Sequence, residues 1–366
     1  MKKYVFCVLL AVFLLISVGC KPSDPSEAPP EGPESARLPA SHILQFDAEA
    51  GRYNYCPAVM QTDEDTAYIY YCTNRADRVV VDHIGCRQGT RGEDGQWSWG
   101  EEQIVLSPTA GKWDAHHTCD PSVVAGEFHY EGQTYTYLMA YLGCTSYDNQ
   151  DNKIGIAVAK SPEGPFIKVG DAPLVDFEFE DSADVWEWGV GQPSLVSLDK
   201  KGSVMLFYTR GDRNGTRTVA EQWALSDLSA PVRISSETLP ATGLKDLNDK
   251  QDFINNADFV YDAAGERFFA VSDCHPNPTE APDYISSHFR ITCFDYSAGF
   301  DDISWQSVCT VGEAESGFAR NHNAGLLRDA YGHLSAPYLT AFYTVSATGS
   351  QSLWSYRIYN YHALLS

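Results

Sequence analysis

A short motif recurs along the chain at nearly constant spacing. It reads N-Y-C-P-A-V at 54–59, T-C-D-P-S-V at 118–123, G-Q-P-S-L at 191–195, N-N-A-D-F-V at 255–260 and H-N-A-G-L at 322–326. Aligned on the closing aliphatic residue, the position three before it is Cys56, Asp120, Gln192, Ala257 and Asn323, at intervals of 64, 72, 65 and 66 residues. So even a repeat restricts the chain to one supersecondary unit used five times. Each motif is followed by a turn and an aromatic-rich run, such as T-A-Y-I-Y-Y-C at 66–72 or R-F-F-A-V-S at 267–272, and then by further strand-like runs. Aromatic and β-branched residues at this density favour strands. Four short strands per unit make a propeller blade. The expected fold is all-β: a five-bladed β-propeller of four-stranded blades.

The fifth motif lies only about 43 residues from the C-terminus, too few for four strands. An open sheet edge is a liability. Ser41–Asp47, just before the first motif, is the expected donor of the missing strand, so that an N-terminal strand closes the ring. Upstream, Lys2 and Lys3 precede an apolar run from Tyr4 to Val18 and then Gly19-Cys20. That is the pattern of an export signal over 1–19. It resembles a bacterial lipoprotein signal, which makes Cys20 the lipidated first residue of the mature chain. Residues 20–40 are rich in Pro, Ser and Glu and lack aromatics, so they read as a flexible tether. The expected location is the cell envelope, with membrane contact only through a lipid anchor. The remaining 41–366 form one catalytic domain, expected to be a monomer. A formal charge of −23 repels phosphates and excludes nucleic acid as a partner. Eight cysteines remain beyond the signal and Cys20, with no C-x-x-C pair among them. They permit disulfides in an exported chain, but the spacing fixes no pairing.

At these motifs, and at A-V-A-K-S-P-E-G-P-F over 157–166, the chain resembles the five-bladed propeller glycoside hydrolases, the superfamily of families 43, 32 and 117. The resemblance covers about residues 50–366. It implies hydrolysis of an oligo- or polysaccharide by carboxylate general acid–base catalysis, in a pocket at one end of the propeller axis. It requires no cofactor, and allows a structural calcium ion in the central channel, with His322 as its ligand. The usual triad positions depart from the family: Cys56 stands where the first-blade base would be, Gln192 in the third blade, and Asn256-Ala257-Asp258 in the fourth.

Glycoside hydrolysis needs one protonated and one ionised carboxyl group. Asp120, with its backbone fixed by Pro121, is the expected base. Asp258 is the second candidate; it lies two residues before Val260, which puts it on the face opposite Asp120 unless a bulge intervenes. Glu187, in V-W-E-W-G, is the third. Its neighbours Trp186 and Trp188 supply faces for sugar rings and an apolar setting that raises a carboxyl pKa. His116 and His117 are candidates for binding substrate hydroxyls, as are Gln192, Asn256 and Asn323. Arg210 and Arg320 are candidates for orienting a carboxylate or an acidic sugar. The alternatives to an enzyme are a non-catalytic carbohydrate-binding surface propeller and a protein-interaction propeller.

Overall fold

The computed structural model describes residues 38–180 and 187–365. The signal, Cys20 and most of the tether lie outside them. Five units follow one another. The first holds β1 (Asn54–Gln61), β2 (Thr66–Thr73), β3 (His83–Arg91), β4 (Trp97–Trp99) and β5 (Gln103–Leu106). The second holds β6 (His117–Tyr130), β7 (Gln133–Cys144), β8 (Lys153–Ala159) and β9 (Ile167–Lys168). The third holds β10 (Gly189–Ser197), β11 (Ser203–Asp212), β12 (Gly215–Ala224) and β13 (Val232–Thr238). The fourth holds β14 (Asp258–Asp262), β15 (Arg267–Cys274), β16 (His288–Asp295) and β17 (Gln306–Val311), and the fifth β18 (Arg320–Asp329), β19 (Tyr338–Ser346) and β20 (Arg357–Leu364).

Units two, three and four are separate four-stranded antiparallel meanders. Units one and five are joined, because β1 and β18 run parallel with Val59 opposite Leu327. The fifth unit has three strands of its own. The N-terminal segment supplies the next layer: His42 N–H donates to Asn360 O at 2.7 Å, Gln45 N–H to Ile358 O at 2.9 Å, and Leu44 bridges Tyr359 antiparallel. This is the donor segment expected from the shortfall of residues at the C-terminus.

Apolar clusters fill the seams between neighbouring units. Val124 and Leu138 meet Leu195 and Leu206 between units two and three. Phe207 stacks on Phe259 between units three and four with ring centroids 3.9 Å apart. Val59 and Ile69 meet Leu327 and Phe342 between units five and one. These side chains alternate along strands buried on both faces, which accounts for the near-continuous apolar runs in the sequence.

The first strands carry a shared irregularity. Tyr55 pairs with Cys72 but Ala58 with Tyr70; Cys119 pairs with Leu142 but Ser122 with Ala140. The same slip of three residues against two occurs at Gly191/Ser194 and His322/Gly325. At each slip one residue adopts positive φ: Cys56 at 50°, Asp120 at 47°, Gln192 at 54° and Asn323 at 44°, with Asn256 at 48° completing the set just before β14. A left-handed backbone costs a residue with a Cβ roughly 1–2 kcal/mol, so five such residues persist only because the surrounding sheet dictates them. The bulge turns the side chain out of the ladder. The sequence alignment had put Ala257 in this place; the structure corrects it by one residue, to Asn256.

Two residues beyond each bulge, Ala58, Ser122, Ser194, Asp258 and Gly325 form the next layer. These are small residues except for Asp258. Gly325 has no alternative, since a Cβ there would come within 1.9 Å of the Pro57 carbonyl oxygen. The space is filled by Arg328, which is fully buried. Its guanidinium donates to Ser122 Oγ at 2.7 Å, Leu195 O at 3.0 Å and Phe259 O at 3.1 Å, and pairs with Asp258 Oδ1 at 3.1 Å.

Candidate functional site

Above this plug lies a cavity of about 710 Å³. Four of the five bulge residues line it: Asp120, Gln192, Asn256 and Asn323. Cys56, the fifth, is not part of the wall but hydrogen-bonds Asp120. The five residues join in a cycle, two of its links being made by the backbone N–H of Gln192 and of Asn256. Asp120 accepts from the Cys56 thiol and from Gln192 N–H. Gln192 Oε1 accepts from Asn256 N–H at 2.9 Å, Asn256 Oδ1 accepts from Asn323 Nδ2 at 3.0 Å, and the Asn323 amide reaches the Cys56 sulfur.

A second set of residues, at the ends of the second strands, holds the strained backbones. Cys56 N–H donates to Thr344 Oγ1 at 3.2 Å, Asp120 N–H to Cys72 Sγ at 3.0 Å, Asn256 N–H to Thr209 Oγ1 at 3.0 Å and Asn323 N–H to Asp273 Oδ1 at 3.0 Å. In the second unit this place is taken by Leu142, which accepts nothing, and Gln192 N–H turns to Asp120 instead. Cys72 is disulfide-bonded to Cys119, so the first and second units are tied covalently beside Asp120.

Asp273 therefore enters the site, although its sequence context, R-F-F-A-V-S-D-C, reads only as a strand. Its Oδ2 accepts from Asn256 Nδ2 at 2.9 Å. Asp120 and Asp273 both line the cavity. Burial pushes the carboxyl pKa of each up to about 6. At Asp120 the Cys56 and Gln192 hydrogen bonds oppose that rise and the negative charge of Asp82 adds to it; at Asp273 the Asn256 and Asn323 hydrogen bonds oppose it. Two carboxyl groups poised near neutrality in one cavity are the arrangement acid–base chemistry requires.

His117 lines the cavity wall and His116 does not. His117 Nδ1 lies 2.8 Å from Asp82 Oδ2. Burial acts to lower its pKa, but the hydrogen bond and charge of Asp82 outweigh that and raise it. The rings of His116 and His117 stand edge to face, 4.4 Å apart. His322 also lines the cavity. Burial holds its pKa near 4, so it is neutral, and its Nε2 has no protein partner. Trp188 contributes an aromatic face, while Trp186 lies outside the described residues. Tyr147 and Tyr284, 66% and 73% exposed, stand at the rim.

Several expected residues are occupied elsewhere. Asp258 lies in the plug, accepting from Ser194 Oγ at 2.7 Å and Leu326 N–H at 2.8 Å besides pairing with Arg328. It packs beside Ser194 and Arg328 and does not line the cavity. The Glu187 carboxylate accepts from Glu180 N–H at 2.9 Å, and the residue is not part of the cavity wall. Arg210 pairs with Asp212 at 2.9 Å. Arg320 donates to the carbonyls of Ala319 and Glu280. Neither arginine lines the cavity, whose wall contains no lysine or arginine among the described residues.

No protein-family profile matches the chain, and no curated protein does. Solved structures match its fold. A family 117 glycoside hydrolase of the marine bacterium Zobellia galactanivorans is similar with a TM-score of 0.58 at 13% identity, over 90% of each chain. A thermostable family 43 glycoside hydrolase is similar with a TM-score of 0.53 at 14% identity, over 86% of this chain and 91% of that one. An α-L-arabinofuranosidase of Podospora anserina, solved with cellotriose, is similar with a TM-score of 0.51 at 10% identity, over 89% and 95%. Families 117 and 43 are five-bladed propeller families. The chain thus has a glycoside hydrolase fold.

Proposed function

We propose that the five units form a closed five-bladed propeller, and that the protein is a glycosidase acting in the cavity at one end of its axis. The observation that carries the reading is the pair Asp120 and Asp273, which share one cavity and both titrate near 6. Asp120 is the base, as the sequence suggested, and Asp273 takes the place of the proton donor that Glu187 and Asp258 were expected to fill. Gln192, Asn256 and Asn323 offer amides to sugar hydroxyls, and Trp188, Tyr147 and Tyr284 offer ring faces. The cavity is closed below by Arg328, which suits the end of a glycan rather than a threaded chain. The absence of lysine and arginine from the wall among the described residues argues against the acidic sugar that Arg210 and Arg320 would have oriented. His322, with a free ring nitrogen, remains the candidate ligand for a metal in the channel, and export with lipidation at Cys20 remains the proposed route to the cell envelope.

A second reading, carbohydrate binding without catalysis, draws on Cys56 at the first-unit position and on the N–H donors already bound to both oxygens of Asp273. A screen of aryl glycosides and plant or algal oligosaccharides with wild type, Asp120→Asn and Asp273→Asn separates the two. Catalysis predicts release of sugar by the wild type and a loss of roughly 10²–10⁴-fold in kcat in each variant. Glycan binding with no turnover by any form selects the second reading.

A further inference from the structure

The adjacent histidines of W-D-A-H-H at 113–117 both hold one residue at the cavity rim. His117 Nε2–H donates to the Tyr147 backbone carbonyl at 3.2 Å, while Nδ1 faces Asp82. The His116 ring packs edge to face against the Tyr147 ring with centroids 5.7 Å apart. The rest of the loop is anchored as well. Asp151 accepts from Thr145 N–H and Ser146 N–H, each at 3.0 Å, and from Ser146 Oγ at 2.7 Å. Tyr147 thus stands on a held loop with its own side chain exposed. Tyr284 is held comparably: its hydroxyl is hydrogen-bonded to Tyr356 of the cavity wall, and two residues on Ser286 Oγ donates to Cys274 O at 2.7 Å. Among the described residues Tyr284 and Tyr147 are the two most exposed large apolar side chains, and both belong to one cavity. A ring that stacks on such a side chain has little left to order.

We propose that Tyr147 and Tyr284 form a second sugar position at the mouth, so that the protein takes a neutral glycan of at least two units by its end. This rests on the carbohydrate reading of the cavity, and not on catalysis. The first ring lies among the bulge residues and Trp188, and the second at the exposed tyrosines. Each tyrosine offers an apolar ring to the C–H face of a sugar and leaves the sugar's hydroxyls in water. Charge selects the sugar. The wall includes Asp82, Asp120, Asp148 and Asp273, and no lysine or arginine among the described residues. In a chain of formal charge −23, a uronic or sulfated unit is repelled. His116 does not line the cavity and is a positioning residue: it sets the tilt of the Tyr147 ring, as His117 sets the place of its backbone. That gives a task to a histidine pair of which only one member reaches the cavity.

The test is calorimetric titration of the full chain with methyl glycosides and with the matching disaccharides of glucose, xylose, arabinose and galactose. It is done in the Asp120→Asn background, so that the ligands stay intact. In every series that binds, the disaccharide should bind at least about tenfold more tightly than the methyl glycoside. Adding Tyr147→Ala or Tyr284→Ala should cut that ratio about threefold, and adding both should bring it near one. Trp188→Ala should weaken both ligands together. His116→Ala should lower the ratio about twofold when Tyr147 is present and not at all beside Tyr147→Ala, and His116→Phe should keep it, the pattern of a residue that acts through its neighbour. Both tyrosines are exposed, so unchanged melting of their variants is expected. A ratio near one with both tyrosines in place, an undiminished ratio with both removed, or no binding in any series would each overturn the proposal. Turnover is read separately in the wild type. Sugar release together with a ratio near one keeps the glycosidase reading and removes this one; a tenfold ratio with no turnover of any substrate does the reverse.

Discussion

Asp120 and Asp273 hold their protons to about pH 6, against about 3.8 in an unfolded chain. Below about pH 4 both groups are protonated whether or not the chain is folded, and they cost nothing. As pH rises through 4 to 6 the unfolded chain ionises first, so the folded state loses stability relative to it. Above 6 the penalty is constant, on the order of 3 kcal/mol for each group. His117 acts in the same direction: its raised pKa supplies stability that is complete below about 6.5 and fades as pH climbs through its folded value. Urea denaturation across pH 4 to 7 should therefore carry a decline from these groups, set against the opposite contribution of His83, His322 and His362, whose pKa values burial holds near 4. In Asp120→Asn or Asp273→Asn that decline should shrink, leaving each variant more stable than wild type at pH 7 by up to about 3 kcal/mol. An unaltered pH dependence in both variants would mean that neither carboxyl is held protonated by burial.

At the scale of the strand, the decisive device is the bulge that opens each inner strand. It puts Asp120, Gln192, Asn256 and Asn323 on the cavity wall, with Cys56 off it, and the residue two further on into the plug. Asp258 belongs to the plug, and its task is to neutralise Arg328. Asp258→Ala leaves a fully buried guanidinium without its counter-ion and should cost about 3–5 kcal/mol in thermal or chemical denaturation. A loss under 1 kcal/mol would show that the serine and carbonyl partners of Arg328 suffice. The same device explains what could be read from the sequence. The Asp-Pro-Ser and Gln-Pro-Ser motifs announce the bulge, so Asp120 and Gln192 were legible as ring positions. In the fourth unit Asn255 and Asn256 stand side by side with no proline after them, and the alignment slipped by one. Asp273 was hidden because its importance comes from ending the second strand opposite a bulge, a position set by pairing rather than by any local motif. Glu187 looked like a site residue because tryptophans flank it; Trp188 lines the cavity and Glu187 does not.

For the molecule as a whole, the spacing of the repeats and the short fifth unit already implied the role of Ser41–Asp47. That segment pairs with β20 through three backbone hydrogen bonds and adds the Ile43 N–H to Asn360 Oδ1 bond at 2.9 Å. Removing residues 38–47 exposes the edge of β20. The shortened protein should unfold at lower temperature and self-associate, as size-exclusion chromatography would reveal; a monomer with unchanged melting would show that closure of the fifth unit is dispensable. The Cys72–Cys119 bond ties the first two units across 47 residues of sequence, a loop for which chain entropy alone gives about 4 kcal/mol. It stabilises the wall that carries Asp120.

The central claim is that two carboxyl groups in one cavity share the acid and base roles. It is tested most directly by the pH dependence of kcat/KM on the best substrate, for wild type and the two Asn variants. A bell centred near pH 6 is expected for wild type, with Asp120→Asn and Asp273→Asn each abolishing the bell along with most of the rate. A bell of the same shape and height in either variant would contradict the account.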